Sequence, residues 1–338
     1  MKNFRHITSA ILALSLALTL TACGGKKEEA PAESGSEAPA EATTEKYLIG
    51  INQYGQHASL DNCRIGFLQG LEEAGLKEGV DFEVDYQNAG FDDNVNAQIG
   101  DAFSAEDVDL MVGIATPSAV ACYNAAEEKD IPVIFTAVTD PVAAKLDSGN
   151  ITGTSDKLPV DAQLELIRAI QPDAKTIGIV YTTSEANSIS TIAEYKDKAP
   201  NYGFTIEAIG VTAGAEVTQA IDTLISKKVD CLNNLTDNNV VGVLSSVLEK
   251  TNAAGIPVYG SEIEQVKLGC VASAGIDYVE LGKMTGEMAA KILKGEATAD
   301  SMPYKAVTDF ADYVNSDALK EMGLTLPSSI ADTAIEAK

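Results

Sequence analysis

The chain has 338 residues, a formal net charge of −26 and only two histidines. Such strong acidity disfavours nucleic acids and anionic membrane surfaces as partners, because both repel a negatively charged protein. The five cysteines include no C-x-x-C pair, so we expect no zinc site, and nothing in the sequence calls for a cofactor.

The first 22 residues have the layout of a secretory signal peptide. Lys2 and Arg5 precede an almost uninterrupted apolar run over residues 7–20, and small residues then lead to Cys23. The run is shorter than the ~20 residues that a membrane-spanning helix needs, which argues against a transmembrane segment. The segment resembles the lipobox of bacterial lipoproteins, in which the peptide is cleaved before a cysteine that becomes diacylated. Cys23 is therefore the predicted lipidation site.

Residues 23–46 are predicted to form the lipidated cysteine and a disordered stalk. The stalk is rich in Glu, Ala, Pro, Ser and Gly and has little apolar surface to bury beyond alanine. A flexible tether of this kind lets a folded body move close to the membrane. The sequence thus predicts a lipid-anchored protein at the cell membrane, facing away from the cytoplasm.

From Tyr47 onward, short β-rich runs alternate with helical patterns. Roughly 290 residues exceed what one core usually supports, so we expect two lobes. In the first half, strand patterns lie at residues 47–51, 82–86, 110–114 and 132–135, and helical patterns lie between them. This alternation predicts an α/β fold with right-handed βαβ crossovers and parallel sheets covered by helices.

The second half of the body repeats the first at an offset of about 125 residues, too long for a solenoid unit. Matching segments occur in the same order: 48–51 with 176–180, 79–84 with 201–207, 109–116 with 230–237, and 130–134 with 255–259. We therefore expect two similar Rossmann-like lobes.

The loops that follow the predicted strands carry the candidate ligand contacts. Open parallel sheets bind ligands beyond the carboxyl ends of their strands. Three pairs of residues have the character of helix starts that favour an anion, with the first member as N-cap: Thr116 with Pro117, Ser184 with Glu185, and Thr236 with Asp237.

Other groups in these loops complement the helix starts. Carboxylates such as Asp140, Asp156, Asp237 or Glu262 are candidates to hold an ammonium group. Tyr54, Tyr181 and Tyr259 offer flat apolar faces. The combination suits a zwitterionic amino acid. Each residue also has a simpler interpretation, since a hydroxyl at a helix start is usually only a cap and a tyrosine often serves packing.

These loops resemble those of the substrate-binding lipoproteins of ABC importers, in the branch associated with tryptophan and tyrosine uptake. The similarity extends from Tyr47 to about Pro327, and the run Thr-Ala-Val-Thr-Asp-Pro at 136–141 is its most specific part. Ala58 departs from the pattern, because a proline is expected after His57. The matching positions are 50–51, 53, 57, 59–61, 64, 66–67, 115–117, 136–144, 153–156, 185 and 187–188.

The resemblance implies a type I periplasmic-binding-protein fold with two lobes hinged by crossing strands. Lobe 1 would comprise residues 47–155 plus 277–303, and lobe 2 residues 156–276 plus 304–338. The lobes would close on an aromatic or related amino acid and deliver it to a membrane permease. The predicted ligand-binding residues are Gln53, Tyr54, Thr116, Pro117, Ser118, Thr139, Asp140, Ser155, Asp156, Glu185, Asn187, Ser188, Thr236, Asp237, Asn238, Glu262 and Asp277.

A non-catalytic, monomeric binding protein is the function that the sequence favours. An exported enzyme is disfavoured, because the chain has no G-x-S-x-G or G-x-G-x-x-G motif and His57 is the one histidine of the mature chain. A sensory receptor would have a similar sequence, and another amino acid or a purine-like solute would suit a similar cleft. Disulfide pairing among Cys63, Cys122, Cys231 and Cys270 stays open, although the last three have the apolar neighbours of core residues.

Overall fold

The computed structural model describes residues 46–338. The predicted signal peptide, the lipidation site Cys23 and all but the last residue of the predicted stalk lie outside the described residues. Among the helices of residues 46–338, none has both the length and the apolar character needed to cross a bilayer.

Strands and helices alternate along most of the described chain. The strands are β1 (Tyr47–Gln53), β2 (Phe82–Asn88), β3 (Leu110–Ile114), β4 (Val133–Thr136), β5 (Ile151–Ser155), β6 (Thr176–Thr182), β7 (Thr205–Val211), β8 (Cys231–Asn233), β9 (Val258–Tyr259), β10 (Ala272–Gly275), β11 (Lys305–Ala306), β12 (Ala311–Val314) and β13 (Ile335–Glu336). The helices are α1 (Ala58–Glu73), α2 (Asp93–Glu106), α3 (Thr116–Ala126), α4 (Val160–Ile170), α5 (Ala186–Lys198), α6 (Gly214–Ser226), α7 (Asn238–Gly242), α8 (Leu244–Ala254), α9 (Ile263–Leu268), α10 (Tyr278–Leu293), α11 (Ser316–Glu321) and α12 (Ser328–Ala331).

The first lobe is built on a six-stranded parallel sheet in the order β11-β5-β4-β3-β1-β2. Its central strand β3 is buried at every position, as expected for a strand covered on both faces. One hydrophobic core joins this sheet to α10, so residues near 276–293 pack with residues 49–151.

The second lobe contains a four-stranded parallel sheet in the order β7-β6-β8-β9. A separate three-stranded sheet, β10-β12-β13, lies beside it and pairs β10 antiparallel to β12. Two further core clusters, drawn from residues 158–337, fill this lobe.

The repeat in the sequence corresponds to a repeat in topology. β1 pairs with β2 and β3, and the equivalent β6 pairs with β7 and β8. The prediction of an α/β fold with two Rossmann-like lobes is confirmed. Lys305 and Ala306 of β11 pair with Thr154 and Ser155 in the first-lobe sheet, although the sequence-based division assigned Lys305 and Ala306 to lobe 2.

Close packing between α1 and α10 holds the start of α1 in place. A Cβ atom added to Gly66 would lie 2.0 Å from the carbonyl oxygen of Val279, and one added to Gly286 would lie 2.2 Å from that of Phe67. Side chains at these glycines would force the helices apart. The contact matters for function because residues at the start of α1 face the second lobe.

The four cysteines of the described chain are free and buried. Burial raises the pKa of the Cys122 thiol to about 12, and the pKa values of the Cys231 and Cys270 thiols are shifted in the same direction. The expectation that these three serve as small core residues is confirmed.

Candidate ligand-binding site

The carboxyl ends of the two parallel sheets meet at a cleft between the lobes. Ser59 Oγ of the first lobe donates to Glu262 Oε1 of the second at 3.0 Å. Thr139 Oγ1 lies 2.9 Å from Thr236 Oγ1, so one of these hydroxyls donates to the other across the cleft. At the edge, Asn62 Nδ2 donates to Glu264 Oε1 at 3.0 Å. The lobes are therefore in direct polar contact.

Two cavities open along this cleft. The first, here called the Glu262 cavity, is lined by His57, Ser59, Leu60, Ala137, Asp156, Thr236, Asn238, Val241, Glu262, Gln265 and Tyr278. The second, the Tyr54 cavity, is lined by Tyr54, Asp93, Asn96, Ala97, Thr116, Pro117, Val120, Ala121, Asn124, Ala143, Ala144, Lys145, Ser184, Glu185 and Ala186. Asn238 Nδ2 donates to Glu185 Oε2 at 2.7 Å, which joins the two linings.

Four buried carboxylates dominate the electrostatics of the cleft: Asp156, Glu185, Asp237 and Glu262. None of them takes part in an ion pair within residues 46–338. Burial raises the pKa of Glu262 to about 7, and burial together with the nearby Asp237 raises the pKa of Glu185 to about 8. A region of this charge favours a cationic group.

Glu262 and Asp156 both line the Glu262 cavity and have few partners. Glu262 caps α9 by accepting the N–H groups of Glu264 and Gln265, and it accepts a third hydrogen bond from Ser59 of the other lobe. Asp156 accepts from Thr139 Oγ1 at 2.9 Å and from the Tyr278 hydroxyl at 2.5 Å, and its pKa is also raised by burial. Both carboxylates keep acceptor capacity for a ligand.

Asp237 is used differently. It is the N-cap of α7, and its oxygens accept the N–H and Oγ1–H of Thr182, the hydroxyl of Ser188 at 2.7 Å and the N–H of Val240 at 3.0 Å. All four donors belong to the second lobe. This carboxylate ties β6, α5 and α7 together and has little capacity left for an ammonium group.

Glu185 is the N-cap residue of α5 and holds the start of α7 rather than its own helix. Its carboxylate accepts from the side chain of Asn187 and from the backbone and side chains of Asn238 and Asn239. It still lines the Tyr54 cavity, opposite Tyr54 of the first lobe.

Several buried polar atoms around the cleft have no hydrogen-bond partner among the described residues. They include Thr116 Oγ1, Asn187 Oδ1, Gln53 Oε1 and His57 Nδ1. Unpaired buried polar atoms are costly in a folded protein, so these positions are candidates to contact a polar ligand.

Comparison with known proteins identifies the class of molecule. A sequence model of the ABC transporter substrate binding protein family matches residues 48–338. The chain belongs to this family. It is thus a binding protein, and the expectation that it is not an enzyme is confirmed.

Relatives of this substrate-binding protein include proteins of known ligand. The tyrosine-binding protein of Clostridioides difficile is 39% identical over 282 residues, which cover 82% of this chain and 81% of the relative. The crystal structure of an ABC domain from Streptococcus pneumonia in complex with L-Trp is 34% identical, covers 86% of this chain and 99% of that one, and superposes with a TM-score of 0.83.

A third relative differs in shape more than in sequence. The ligand-free, open structure of a substrate binding protein with adhesive properties from Clostridium difficile is 40% identical, with 86% of this chain and 100% of that chain covered. Its TM-score is only 0.64. This lower score, at a higher identity than that of the L-Trp complex, belongs to a structure in the ligand-free, open state.

Some of the predicted site residues of the substrate-binding protein do not line either cavity. Ser118 is buried inside the first lobe and donates to Asn96 Oδ1 at 2.7 Å. Ser155 Oγ donates to the Thr139 carbonyl at 3.1 Å. Asp140 accepts the N–H of Ala143, and the exposed Asp277 caps α10. These groups shape the loops around the cleft.

The predicted N-caps are wrong by one residue. The N-cap residues of α3, α5 and α7 are Ala115, Glu185 and Asp237, and the hydroxyl residues Thr116, Ser184 and Thr236 are therefore not caps. Ala115 adopts φ +78°, because the chain turns sharply from β3 into α3. Thr116 thus begins the helix, and its hydroxyl is left without a partner among the described residues.

Of the three tyrosines singled out, Tyr54 alone lines a cavity of the cleft. Tyr259 lies inside the second lobe and donates to Gln171 Oε1 at 2.9 Å, and Tyr181 packs against the core of the same lobe. Ser59, Gln265 and Tyr278 also line the Glu262 cavity, although they were not among the residues predicted from the sequence. Ser59 lies in the matched segment after His57, which was the available signal.

Proposed function

We propose that this substrate-binding protein captures an aromatic amino acid, tryptophan or tyrosine, between its lobes and delivers it to an ABC permease. Two relatives support the proposal, because one is a tyrosine-binding protein and the other is a pneumococcal structure with bound L-Trp. Both relatives exceed 30% identity and span most of this chain.

The observation that carries the proposal is that one small cavity has groups that favour an ammonium and groups that favour a carboxylate. Asp156 and Glu262 offer buried carboxylates without a basic partner among residues 46–338, which suits an ammonium group. Ser59 and Leu60 line the same cavity in the first turn of α1, where N–H groups have no acceptor inside the helix. A helix start favours a carboxylate. Together they match the two charges of an amino acid.

Aromatic and aliphatic groups surround these polar ones. Leu60, Val241 and Tyr278 line the Glu262 cavity. Tyr54 packs edge-on against Phe91, with ring centroids 5.9 Å apart, and lines the Tyr54 cavity. Aromatic walls favour an aromatic side chain through edge-to-face and offset contacts.

Capture follows from closure of the lobes on the ligand. The contacts Ser59–Glu262, Asn62–Glu264 and Thr139–Thr236 join residues of different lobes, so they form only when the cleft is narrow. A ligand that touches both lobes stabilises this arrangement by its additional contacts. The closed outer rim would then dock on the permease.

The location of the protein is part of the same proposal. Cleavage before Cys23 and diacylation of that cysteine would anchor a monomeric body through the residues 23–46 stalk, because two acyl chains hold a protein stably at a membrane. The lobes would divide near residues 155 and 276, and after β11. Radiolabelled palmitate incorporated by the wild type but not by Cys23→Ala would support the anchor.

A ligand screen tests the proposed substrate. We expect L-tryptophan or L-tyrosine to raise the melting temperature of the purified protein and to bind measurably by isothermal titration calorimetry, since a ligand that binds only the native state stabilises it by mass action. L-leucine, myo-inositol and adenine serve as controls of other chemical classes. Stabilisation by one of these controls, without any by the aromatic amino acids, would contradict the proposal.

A further inference from the structure

His57 is the one histidine of residues 46–338, and its side chain is not used by its own helix. It occupies the N-cap position of α1 with an extended backbone, yet makes no side-chain capping hydrogen bond. The ring instead lines the Glu262 cavity and reaches towards Asn238 of the second lobe.

Asn238 favours one tautomer of the His57 ring. The amide nitrogen Nδ2 of Asn238 donates to the Glu185 carboxylate at 2.7 Å, which fixes the orientation of the amide. Its oxygen Oδ1 therefore lies towards His57 Nε2, at 3.5 Å. An amide oxygen only accepts hydrogen bonds, so this contact favours the tautomer that carries its hydrogen on Nε2.

The other ring nitrogen is then a bare acceptor. Burial lowers the pKa of His57 to about 4, against the opposing effects of Asn238 and Asp61, so the ring is neutral at neutral pH. Nδ1 is buried and has no hydrogen-bond partner among the described residues. His57 lines the Glu262 cavity, so a hydrogen-bond donor on the ligand would satisfy this acceptor.

Two observations indicate that this donor belongs to the ligand's ring rather than to its ammonium group. Asp156 and Glu262 line the same cavity, and a charged ammonium pairs better with carboxylates than with a neutral imidazole. His57 also lies on the aromatic side of the cleft, with its ring parallel to that of Phe91 at an interplanar angle of 4° and a centroid distance of 6.5 Å.

We propose that Nδ1 of His57 accepts a hydrogen bond from the indole N–H of tryptophan or the hydroxyl of tyrosine, and so rejects phenylalanine. The inference rests on the proposed function and deepens it, because it assigns a residue that distinguishes among aromatic amino acids. Sites built to hydrogen-bond a substrate group discriminate strongly against analogues that lack it, since the protein acceptor is then left unpaired.

Binding of L-tryptophan, L-tyrosine and L-phenylalanine to the full chain tests the proposal by calorimetry. We expect the wild type to bind at least one of the first two more tightly than phenylalanine by at least about tenfold. His57→Gln keeps a polar group near the position of Nε2, and His57→Asn keeps one near that of Nδ1. His57→Gln and His57→Leu should therefore lose the preference, while His57→Asn retains part of it.

The outcomes separate this proposal from the proposed function. Failure of the wild type to bind any of the three amino acids would reject both. Binding by the wild type without a preference over phenylalanine, or a uniform loss of affinity for all three in His57→Gln, would overturn the assignment of His57 alone.

A spectroscopic readout on the unmodified protein covers the case of a variant that does not fold. The ¹⁵N chemical shift of His57 Nδ1, which differs from that of a ring nitrogen bearing a hydrogen, reports whether Nδ1 accepts a hydrogen bond. We expect it to move on addition of tryptophan or tyrosine and to stay unchanged with phenylalanine. An unchanged shift with a bound ring donor would also overturn the assignment.

Discussion

Asp237 and Glu262 follow neighbouring strands of the second-lobe sheet, β8 and β9, and both carboxylates are buried. Asp237 receives all four of its hydrogen bonds from the second lobe. Glu262 receives two from the start of α9 and a third from Ser59 of the first lobe. Asp237 therefore holds one lobe together, whereas Glu262 accepts one of its hydrogen bonds across the cleft.

Burial alone therefore does not identify a ligand contact in this fold. A buried carboxylate whose acceptor sites are filled within its own lobe contributes to stability, because removing it leaves several donors unpaired. A buried carboxylate that accepts some of its hydrogen bonds from the opposite lobe responds to closure and to the ligand. Substitutions at the two positions should accordingly affect different measurements.

The largest effect is expected from Asp237→Ala, and it should be on stability. The substitution leaves the N–H and hydroxyl of Thr182, the hydroxyl of Ser188 and the N–H of Val240 without their acceptor. We expect the free energy of unfolding, measured by urea denaturation, to fall by about 3–5 kcal/mol.

Asp140→Ala is the matched control for Asp237→Ala. Asp140 accepts a single backbone N–H at a partly exposed turn, so its loss should cost about 1 kcal/mol or less. An Asp237→Ala protein that unfolds like the wild type but no longer binds ligand would reverse the roles assigned to the two carboxylates.

A pH dependence of stability is the next largest effect, and it belongs to Glu262. Its pKa is about 7 in the folded chain, above its ordinary value of 4.5, so the folded protein binds this proton more tightly than the unfolded chain. The stabilisation is complete below pH 4.5 and is lost as the pH rises to about 7. We expect a loss of up to about 3 kcal/mol, in proportion to the fraction of ligand-free protein whose cleft is closed, since a tenfold change in proton affinity corresponds to about 1.4 kcal/mol.

Glu262→Gln isolates this contribution. Glu185, whose pKa is raised to about 8, changes stability in the same direction, so the wild type alone does not assign the effect. Urea denaturation at several pH values should give a difference between wild type and Glu262→Gln that changes from pH 4.5 to pH 7. A constant difference over that range would show that Glu262 does not titrate there.

The general architecture follows from the sequence because it depends on local patterns. The alternation of apolar strands and amphipathic helices is a short-range signal, and the repeated order of segments predicts that β6 takes the place of β1 in a second sheet. The rule that ligands bind beyond strand ends then led to Thr116, Asp156, Asn238 and Glu262, which line the cleft.

The contacts that give these residues their different roles do not follow from the sequence. Ser59 and Glu262 are 203 positions apart, Tyr278 and Asp156 are 122 apart, and Asp237 reaches Thr182 over 55. No helical or strand period relates such pairs. Asp277 was predicted to contact the ligand but is an exposed cap of α10. An acidic residue before a helix caps it equally well at an exposed site and in a cleft, so the sequence does not distinguish the two.

Glu262→Gln should weaken binding of the amino acid, which is the third effect in size. The glutamine side chain would retain an oxygen for the N–H groups of α9 but would lack the negative charge that we assign to the ligand's ammonium group. We expect a roughly 10- to 100-fold higher Kd by calorimetry, because a hydrogen bond to a charged group contributes about 1.5–3 kcal/mol.

Glu264→Gln provides the control for this binding measurement. Glu264 lies in the same helix and contacts Asn62 and Lys267, but it does not line the Glu262 cavity. Its substitution should change the Kd by much less. Equal losses for the two variants would mean that the helix, rather than the charge in the cavity, determines affinity.

The smallest effect, and the most direct test of closure, is expected from Asn62→Ala. Asn62 Nδ2 donates to Glu264 Oε1 across the edge of the cleft, and neither residue lines the Glu262 cavity. A partly exposed hydrogen bond of this kind contributes about 0.5–1 kcal/mol, so ligand affinity should fall about two- to fivefold. Asn150→Ala, which removes two hydrogen bonds to Asp130 inside the first lobe, should lower stability without changing affinity. If Asn62→Ala instead lowers stability and leaves the Kd unchanged, its contact with Glu264 does not depend on closure, and the distinction drawn between Asp237 and Glu262 loses its basis.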